Sequence, residues 1–164
     1  MRSGPRKPLS AEAALMKMAD LCARSEQCSW EILEKLRKLG LGVGERRKIV
    51  EDLTERKFID DSRYAGSYSR DKLRFAGWGP LKIRAGLYAK HISGSVITEV
   101  LEALDDDEIQ DMAMKCGRIK SRSLNLALRE DCIKLMRHLA SRGFPSGVCG
   151  KVLHALKSEQ TDSV

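Results

Sequence analysis

The stretch GPLKIRAGLYAKHISGSVITEVLEAL, residues 79–104, decides the fold because its apolar residues follow a helical spacing. In its second half they fall at i, i+1, i+4, i+5 and i+8, one face of an α-helix; they are Val96, Ile97, Val100, Leu101 and Leu104. Gly79 followed by Pro80 is typical of an N-cap and the first position of a helix. The segment 91–95 between the two halves is rich in turn formers. The stretch therefore predicts two helices joined by a short turn.

The apolar register of this stretch occurs three times in the chain. Seven apolar positions recur after 51 residues and again after 52 more, and all 21 positions are apolar. The three sets are Trp30, Ile32, Leu36, Leu41, Ile49, Val50 and Leu53; then Leu81, Ile83, Leu87, Ile92, Val100, Leu101 and Leu104; then Ile133, Leu135, Leu139, Phe144, Val152, Leu153 and Leu156. Such a period indicates one supersecondary unit that is copied in tandem.

The predicted fold is all-α, with three tandem three-helix repeats of helix-turn-helix-like form in an elongated, curved array. A further helix precedes each predicted pair, at roughly residues 10–24, 61–76 and 106–120. The expected domains are a flexible basic tail at 1–9, repeats at 10–57, 58–104 and 105–157, and a polar tail at 158–164 that frays. The segment 121–129 is expected to extend either the seventh or the eighth helix.

Composition favours a polyanionic partner. The 164 residues carry a net charge of +7 and a pI near 9.3, which is typical of proteins that bind nucleic acid or an acidic protein face. The alternative is ordinary surface charge that confers solubility. Residues 62–92 carry a net charge of +6 and residues 110–142 of +5, whereas the first repeat is nearly balanced.

Cysteine spacing argues against a disulfide scaffold or a zinc site, and the lack of long apolar runs argues against a membrane span. Five cysteines form no CxxC pair, which predicts reduced thiols in a cytoplasmic protein. Apolar runs stay well below the 18 residues that a membrane span needs.

The acidic pair Asp60-Asp61 in KFIDDSRYA, residues 57–65, has two interpretations. A catalytic dyad or metal site would need further converging ligands, but the histidines at 91, 138 and 154 lie on separate predicted elements. Capping of a helix start needs only the carboxylates themselves. The next repeat junction, 105–108, is also acidic. We therefore predict capping and no enzymatic activity, with Phe58 and Ile59 packing against the new helix.

FIDDSRYAGSY at 58–68 and GWGPLKIRAGLYAKHI at 77–92 together resemble the RecX family of bacterial regulatory proteins. The family motif is Phe58, Ile59, Asp60, Asp61, Arg63, Tyr64 and Ala65. LASRGFPSGVCGKVL at 139–153 is similar to the last repeat of that family, and the resemblance covers about residues 12–157. His91 departs from the pattern, where glycine is commoner.

The resemblance implies a non-enzymatic regulator of the recombinase RecA. Such a protein binds RecA filaments, lodges in their groove and inhibits ATP hydrolysis, strand exchange and co-protease activity in DNA recombination, DNA repair and the SOS response. It also contacts single- and double-stranded DNA. A monomer in the cytoplasm is expected, with no catalytic site and no cofactor.

The candidate RecA- and DNA-binding residues are cations of the second and third repeats. They are Arg63, Arg70, Lys72, Arg74, Lys82, Arg84, Lys90, Lys115, Arg118, Lys120 and Arg122. Trp78 and Tyr88 either stack on bases or pack between repeats. Two other functions stay open: a helix-turn-helix DNA-binding transcription regulator, and a generic helical scaffold. Charge spread over several helices favours recognition of shape and charge over reading of a base sequence.

Overall fold

Nine α-helices and no strand make up residues 9–162, the part of the chain that this computed structural model describes. They are α1 Ala11–Arg24, α2 Ser29–Lys38, α3 Val43–Glu55, α4 Asp61–Arg74, α5 Pro80–Ala89, α6 Gly94–Glu102, α7 Asp106–Ser121, α8 Arg129–Ser141 and α9 Ser146–Asp162. The predicted all-α class is confirmed, and the helices follow one another in three groups of three. Pro80 opens α5 behind the N-cap Gly79, as its sequence indicates.

The described part of the chain divides into two compact units, one that ends at Tyr64 and one that begins at Ala65. In the first, α3 packs against both α1 and α2, and Ile32, Leu36 and Leu53 are fully buried in the core that forms between them. In the second, α9 packs in the same way against α7 and α8, while α5 packs against α6. The third helix of a repeat therefore closes its core in both units.

The turns after α2, α5 and α8 show that the repeat register is structural. Each has a residue in the left-handed region at the equivalent position: Gly40 at φ 85°, His91 at φ 57° and Gly143 at φ 90°. These positions are separated by the same 51 and 52 residues as the apolar register. A left-handed residue just past the last turn is the usual way in which a helix ends.

A buried apolar residue follows each of these left-handed positions. Its N–H donates to the carbonyl five residues earlier, which belongs to a core leucine. The bonds run from Leu41 to Leu36 at 3.3 Å, from Ile92 to Leu87 at 3.2 Å and from Phe144 to Leu139 at 3.2 Å. All six side chains are buried. The same hydrogen bond between two buried residues therefore ends the second helix of every repeat.

The C-terminal end of the described chain differs from the prediction. Helix α9 continues to Asp162, so residues 158–162 are helical rather than a fraying polar tail. The Gln160 side chain accepts from the Leu126 N–H at 3.0 Å and donates to the Leu124 carbonyl at 3.2 Å. Residues 122–128 form a loop and extend neither α7 nor α8. The hydrogen bonds from Gln160 of α9 satisfy backbone polar groups of this loop that a helix would otherwise pair. The predicted basic tail falls outside the described residues except for residue 9.

Within the second compact unit, the turn before α5 is hydrogen-bonded to the turn after α8. The Gly79 N–H donates to the Arg142 carbonyl at 2.7 Å, and the Leu81 N–H donates to the Gly143 carbonyl at 3.0 Å. The Arg142 guanidinium donates back, from Nε to the Gly77 carbonyl at 2.9 Å and from Nη2 to the Ala76 carbonyl. The segments 142–144 and 77–80 therefore attach the third repeat to the second.

Candidate binding surfaces

The acidic pair caps two different helices. The Asp60 carboxylate accepts from the Arg63 N–H at 3.0 Å, which caps the start of α4. The Asp61 carboxylate accepts from the Ser29 N–H at 2.8 Å, and Ser29 is the first residue of α2. At the next junction Asp105 accepts from the N–H groups of Asp107 and Glu108. The predicted capping role is confirmed, and the cap on α2 is an addition to it.

The remaining motif residues of the first compact unit are structural. Ile59 is 1% exposed and lies in the core of α1–α3, and Phe58 packs against that core. The Arg63 Nε donates to Glu26 at 2.9 Å, and its Nη atoms donate to the Lys57 and Phe58 carbonyls at 3.4 Å. These bonds hold Arg63, a candidate contact residue, within its own unit.

Tyr64 and Ala65 complete the motif as packing residues. Tyr64 is 7% exposed and its hydroxyl donates to Glu31 at 3.1 Å, while Ala65 is fully buried. Both motif residues therefore belong to the packed interior of the protein.

Two candidate lysines surround the Trp78 indole in the second compact unit. Lys72 Nζ lies 4.6 Å and Lys82 Nζ 4.7 Å from the ring centroid, within the range of a cation–π interaction. The Tyr68 ring meets the indole edge at 6.5 Å between centroids and 75° between planes. Trp78 thus contacts side chains of its own repeat, and Tyr88, which is 55% exposed, is not buried between repeats.

The three candidate cations of the α5 region do not form one surface. Lys82 and Arg84 project to opposite sides of α5, because two residues correspond to about 200° of helix rotation. Arg84 lines a groove with the acidic residues Glu102, Asp106 and Asp107. Lys90 is half-buried at the C-cap of α5.

Helix α7 brings three candidates together. We call Lys115, Arg118, Ile119 and Arg122 the α7 face; they line one shallow groove together with Asp111 and Met114. Ile119 is 58% exposed in the middle of these cations. Arg118 donates to Glu159 of α9 at 2.7 Å. Lys120 lies on the other side of the helix, near His138, whose pKa is lowered by burial and, in addition, by the Lys120 charge.

Helix α4 contributes two further candidates. Arg74 donates to Glu108 of α7 at 2.8 Å, and Arg70 is exposed. The Arg74 ion pair is solvent-exposed and contributes little to stability, so it leaves Arg74 available to a competing anion. In residues 9–162 seven candidates have no ion pair within 4 Å: Arg70, Lys72, Lys82, Arg84, Lys115, Lys120 and Arg122.

A cationic cluster in the first repeat was not predicted. We call it the α2–α3 patch: Lys35, Arg37, Lys38, Arg46, Arg47 and Lys48. These residues flank the four-residue turn 39–42 between α2 and α3. The nearly balanced net charge of the first repeat did not indicate it, because acids elsewhere in the repeat cancel the sum. Comparison of charges at equivalent repeat positions would have revealed the patch.

Within the described residues, no group of three or more His, Cys, Asp or Glu side chains is placed to hold a metal ion. All five cysteines are free thiols, as expected. No helix of residues 9–162 is both long and apolar enough to cross a membrane.

Comparison with known proteins identifies the family. Residues 60–101 match the family model described as "RecX, second three-helix domain", and this segment coincides with α4–α6. The Regulatory protein RecX of Clostridium acetobutylicum is 34% identical over 135 residues, which cover 79% of this chain and 62% of that protein. The chain belongs to the RecX family. The RecX of Clostridium tetani is 32% identical over 125 residues, covering 74% of this chain and 56% of its own length.

Solved RecX structures share the fold. A crystal structure of regulatory protein RecX superposes with a TM-score of 0.78 at 25% identity, covering 87% of this chain and 72% of that chain. RecX from Lactobacillus salivarius gives the same TM-score at 19% identity, covering 89% and 96%. The chain spans about half the length of the curated RecX relatives it matches, from 43% to 62%. RecX proteins are regulatory proteins and not an enzyme family.

Proposed function

We propose that this RecX-family protein acts in the cytoplasm as a non-enzymatic regulator, binding RecA filaments on DNA and inhibiting their ATP hydrolysis, strand exchange and co-protease activity. Membership of the RecX family carries the proposal, because the family pattern extends over α4–α6 and the curated relatives are named as regulatory proteins. The surplus of positive charge supports a partner that is itself strongly negative, such as a nucleoprotein filament.

The α7 face is the proposed contact with RecA protein. Lys115 and Arg122 carry exposed charges without an ion-pair partner among the described residues, and both are therefore available to carboxylates of a partner. Ile119 lies between them and is 58% exposed, which a contact with phosphates alone would not require. An apolar centre with a charged rim is the usual composition of a protein–protein interface. These observations support a protein partner at α7.

Lys72 of α4 and Lys82 of α5, which flank the Trp78 indole, form a second group of cations. Lys72 and Lys82 are ordered against the indole, so they lose less conformational entropy on binding an anion than free lysines do. We propose that they contact filament acids or DNA phosphates beside the α7 contact. In this mechanism the protein occupies the filament groove, blocks entry of the partner duplex and favours loss of RecA subunits at filament ends.

Charge reversal on the α7 face tests this proposal. The Lys115→Glu/Arg122→Glu double variant is compared with an Arg129→Glu/Arg137→Glu control, which makes the same change of charge at exposed positions of α8. Each protein is sedimented with RecA filaments formed on single-stranded DNA and, separately, with the DNA alone. We expect the α7 variant to lose filament binding at least tenfold while the control stays within about twofold of the parent.

The two binding reactions separate the possible outcomes. Loss of filament binding with unchanged binding to DNA alone supports the α7 contact with RecA. Equal filament binding by the α7 variant, the control and the parent would remove α7 from the interface. A parent protein that fails to bind filaments at all would contradict the proposed function itself.

A further inference from the structure

The α2–α3 patch places six cations around a single turn of the first compact unit. Lys35, Arg37 and Lys38 occupy the last turn of α2, and the run 46–48 occupies the first half of α3. Arg37, Lys38, Arg47 and Lys48 are exposed. The short turn between α2 and α3 brings the end of one helix and the start of the next close together.

The other two repeats show that the fold does not require these charges. At the equivalent positions the second repeat has no cation: Gly86, Tyr88, Ala89, Ile97, Thr98 and Glu99. The third repeat has one lysine and one histidine among His138, Ala140, Ser141, Cys149, Gly150 and Lys151. All three turns have a left-handed residue at the equivalent position, followed by the same hydrogen bond between two buried residues. The patch is therefore a property of this repeat and not of its architecture.

Arg46 is the clearest departure from the repeat pattern. Its equivalents Ile97 and Cys149 are each 1% exposed and close the cores of their repeats. Arg46 takes this core position with a charged side chain, and its Nε is buried without a hydrogen-bond partner among the described residues. A buried donor that lacks a partner costs free energy. A cation at this position is therefore unfavourable for packing alone, which favours a role in binding.

The acidic side chains beside the patch are already engaged. Glu34 pairs with Arg37 at 2.9 Å, a contact that lowers the pKa of the Glu34 carboxyl. The Glu45 carboxylate turns back to accept from the Gly42 N–H at 3.1 Å, where it caps α3. The exposed acids Glu51 and Glu55 lie in the second half of α3, away from the turn. The N-terminal half of α3 and the end of α2 therefore carry a surplus of positive charge.

We propose that the α2–α3 patch docks on the phosphate backbone of double-stranded DNA, with the N-terminal half of α3 directed at the major groove. The second helix of a helix-turn-helix pair contacts DNA in this way through its N-terminal residues. Residues 35–48 contain no aromatic side chain on which an unpaired base could stack, so duplex is favoured over single strand. Because the exposed patch side chains are charged and include no amide, binding is by phosphates and independent of sequence.

This surface adds a DNA contact to the proposed function and is distinct from the α7 face, so it is tested on DNA without RecA. The full chain is titrated against a fluorescent duplex of about two helical turns, and against single strand of the same length, over a range of salt concentrations. The variant Arg47→Glu/Lys48→Glu is compared with Lys151→Glu/Lys157→Glu, an equal change of charge at exposed positions of α9. The neutral variant Arg47→Ala/Lys48→Ala is a control for misfolding, because truncation of two exposed side chains should leave the fold intact.

We expect the reversed variant to bind duplex at least tenfold more weakly and the control within about twofold of the parent. The slope of log affinity against log salt should fall by about 2, because each phosphate contact contributes roughly 0.9. Unchanged duplex affinity in both Arg47/Lys48 variants would overturn the proposal, as would a larger loss on single strand than on duplex. Neither result would affect sedimentation with RecA filaments through α7, so failure here is distinct from failure of the proposed function.

Discussion

The Asp61 carboxylate accepts a hydrogen bond of 2.8 Å from the backbone N–H of Ser29, 32 residues earlier in the chain. Ser29 begins α2 and Asp61 begins α4, so one carboxylate joins two helix starts. The N-cap of α2 is Cys28, a poor capping residue, and the charge of Asp61 compensates for it by opposing the positive end of the helix dipole. The acidic pair is therefore a structural joint within the first compact unit.

Removal of this joint should destabilise the first compact unit. We expect Asp61→Ala to lower the free energy of unfolding by about 1–2 kcal/mol, the usual cost of losing a cap. Urea denaturation followed by circular dichroism measures the change. Asp20→Ala, at an exposed position of α1, is the control and should have almost no effect. Equal stability of the Asp61 variant and the control would contradict the joint.

Two left-handed residues give a matched pair of backbone substitutions. Lys57 has φ 63°, which is unfavourable for a side chain with Cβ, so Lys57→Gly should stabilise the protein by up to about 1 kcal/mol. Gly40 has φ 85° and open space around its Cα, so Gly40→Ala should destabilise by about the same amount through conformation alone. Melting temperatures that rise in Lys57→Gly and fall in Gly40→Ala would confirm both expectations, and shifts of the same sign in the two variants would refute them.

Arg142 should be a strong determinant of stability in the second compact unit. Its guanidinium donates to two carbonyls of the turn after α4, and Arg142→Ala leaves both without this donor. We expect a loss of about 2–3 kcal/mol, in the range for hydrogen bonds to charged groups in partly buried sites. Arg137→Ala, at an exposed position of α8, the helix that Arg142 follows, should cost less than about 0.5 kcal/mol. Comparable losses in the two variants would rule out the role given to Arg142.

The stability of the protein should depend on pH through His138. Burial, with the charges of Lys120 and Arg142, lowers the pKa of His138 in the folded protein from its ordinary value of 6.5. The unfolded chain then binds more protons between the two pKa values, so stability present above pH 6.5 is lost as the pH falls through that window. Urea midpoints above and below this window should differ less in His138→Gln than in the parent. An undiminished difference, with exposed His154→Gln as the control, would exclude His138 as the cause.

The sequence predicted those features that depend on local pattern. The apolar register located the three helix pairs, because core residues must recur on one face of each helix. The acidic residues at 60, 61 and 105 indicated caps, because capping depends on chain-local geometry. The role of Asp61 at α2 was not predictable, since its partner lies 32 residues away. The helical end of α9 was missed because polar residues there bind loop backbone rather than solvent.

The candidate surfaces were predicted less well, for a physical reason. Net charge over a segment does not reveal which cations pair within the chain, as Arg63 and Arg118 do. It also does not separate opposite sides of a helix, as with Lys82 and Arg84. The net charge of the first repeat likewise does not reveal the α2–α3 patch, because acidic residues elsewhere in the repeat cancel it. Charges compared position by position across the repeats would have located it.

The most direct test of the central claim is the rate of RecA-dependent ATP hydrolysis on single-stranded DNA, titrated with this protein at low and moderate salt. We predict a saturable decrease in rate that requires higher protein concentrations as salt rises, because the contact is largely electrostatic. The Lys115→Glu/Arg122→Glu variant should require at least tenfold more protein for the same decrease. A rate that stays constant over the whole titration at both salt concentrations would contradict the claim that this protein regulates RecA.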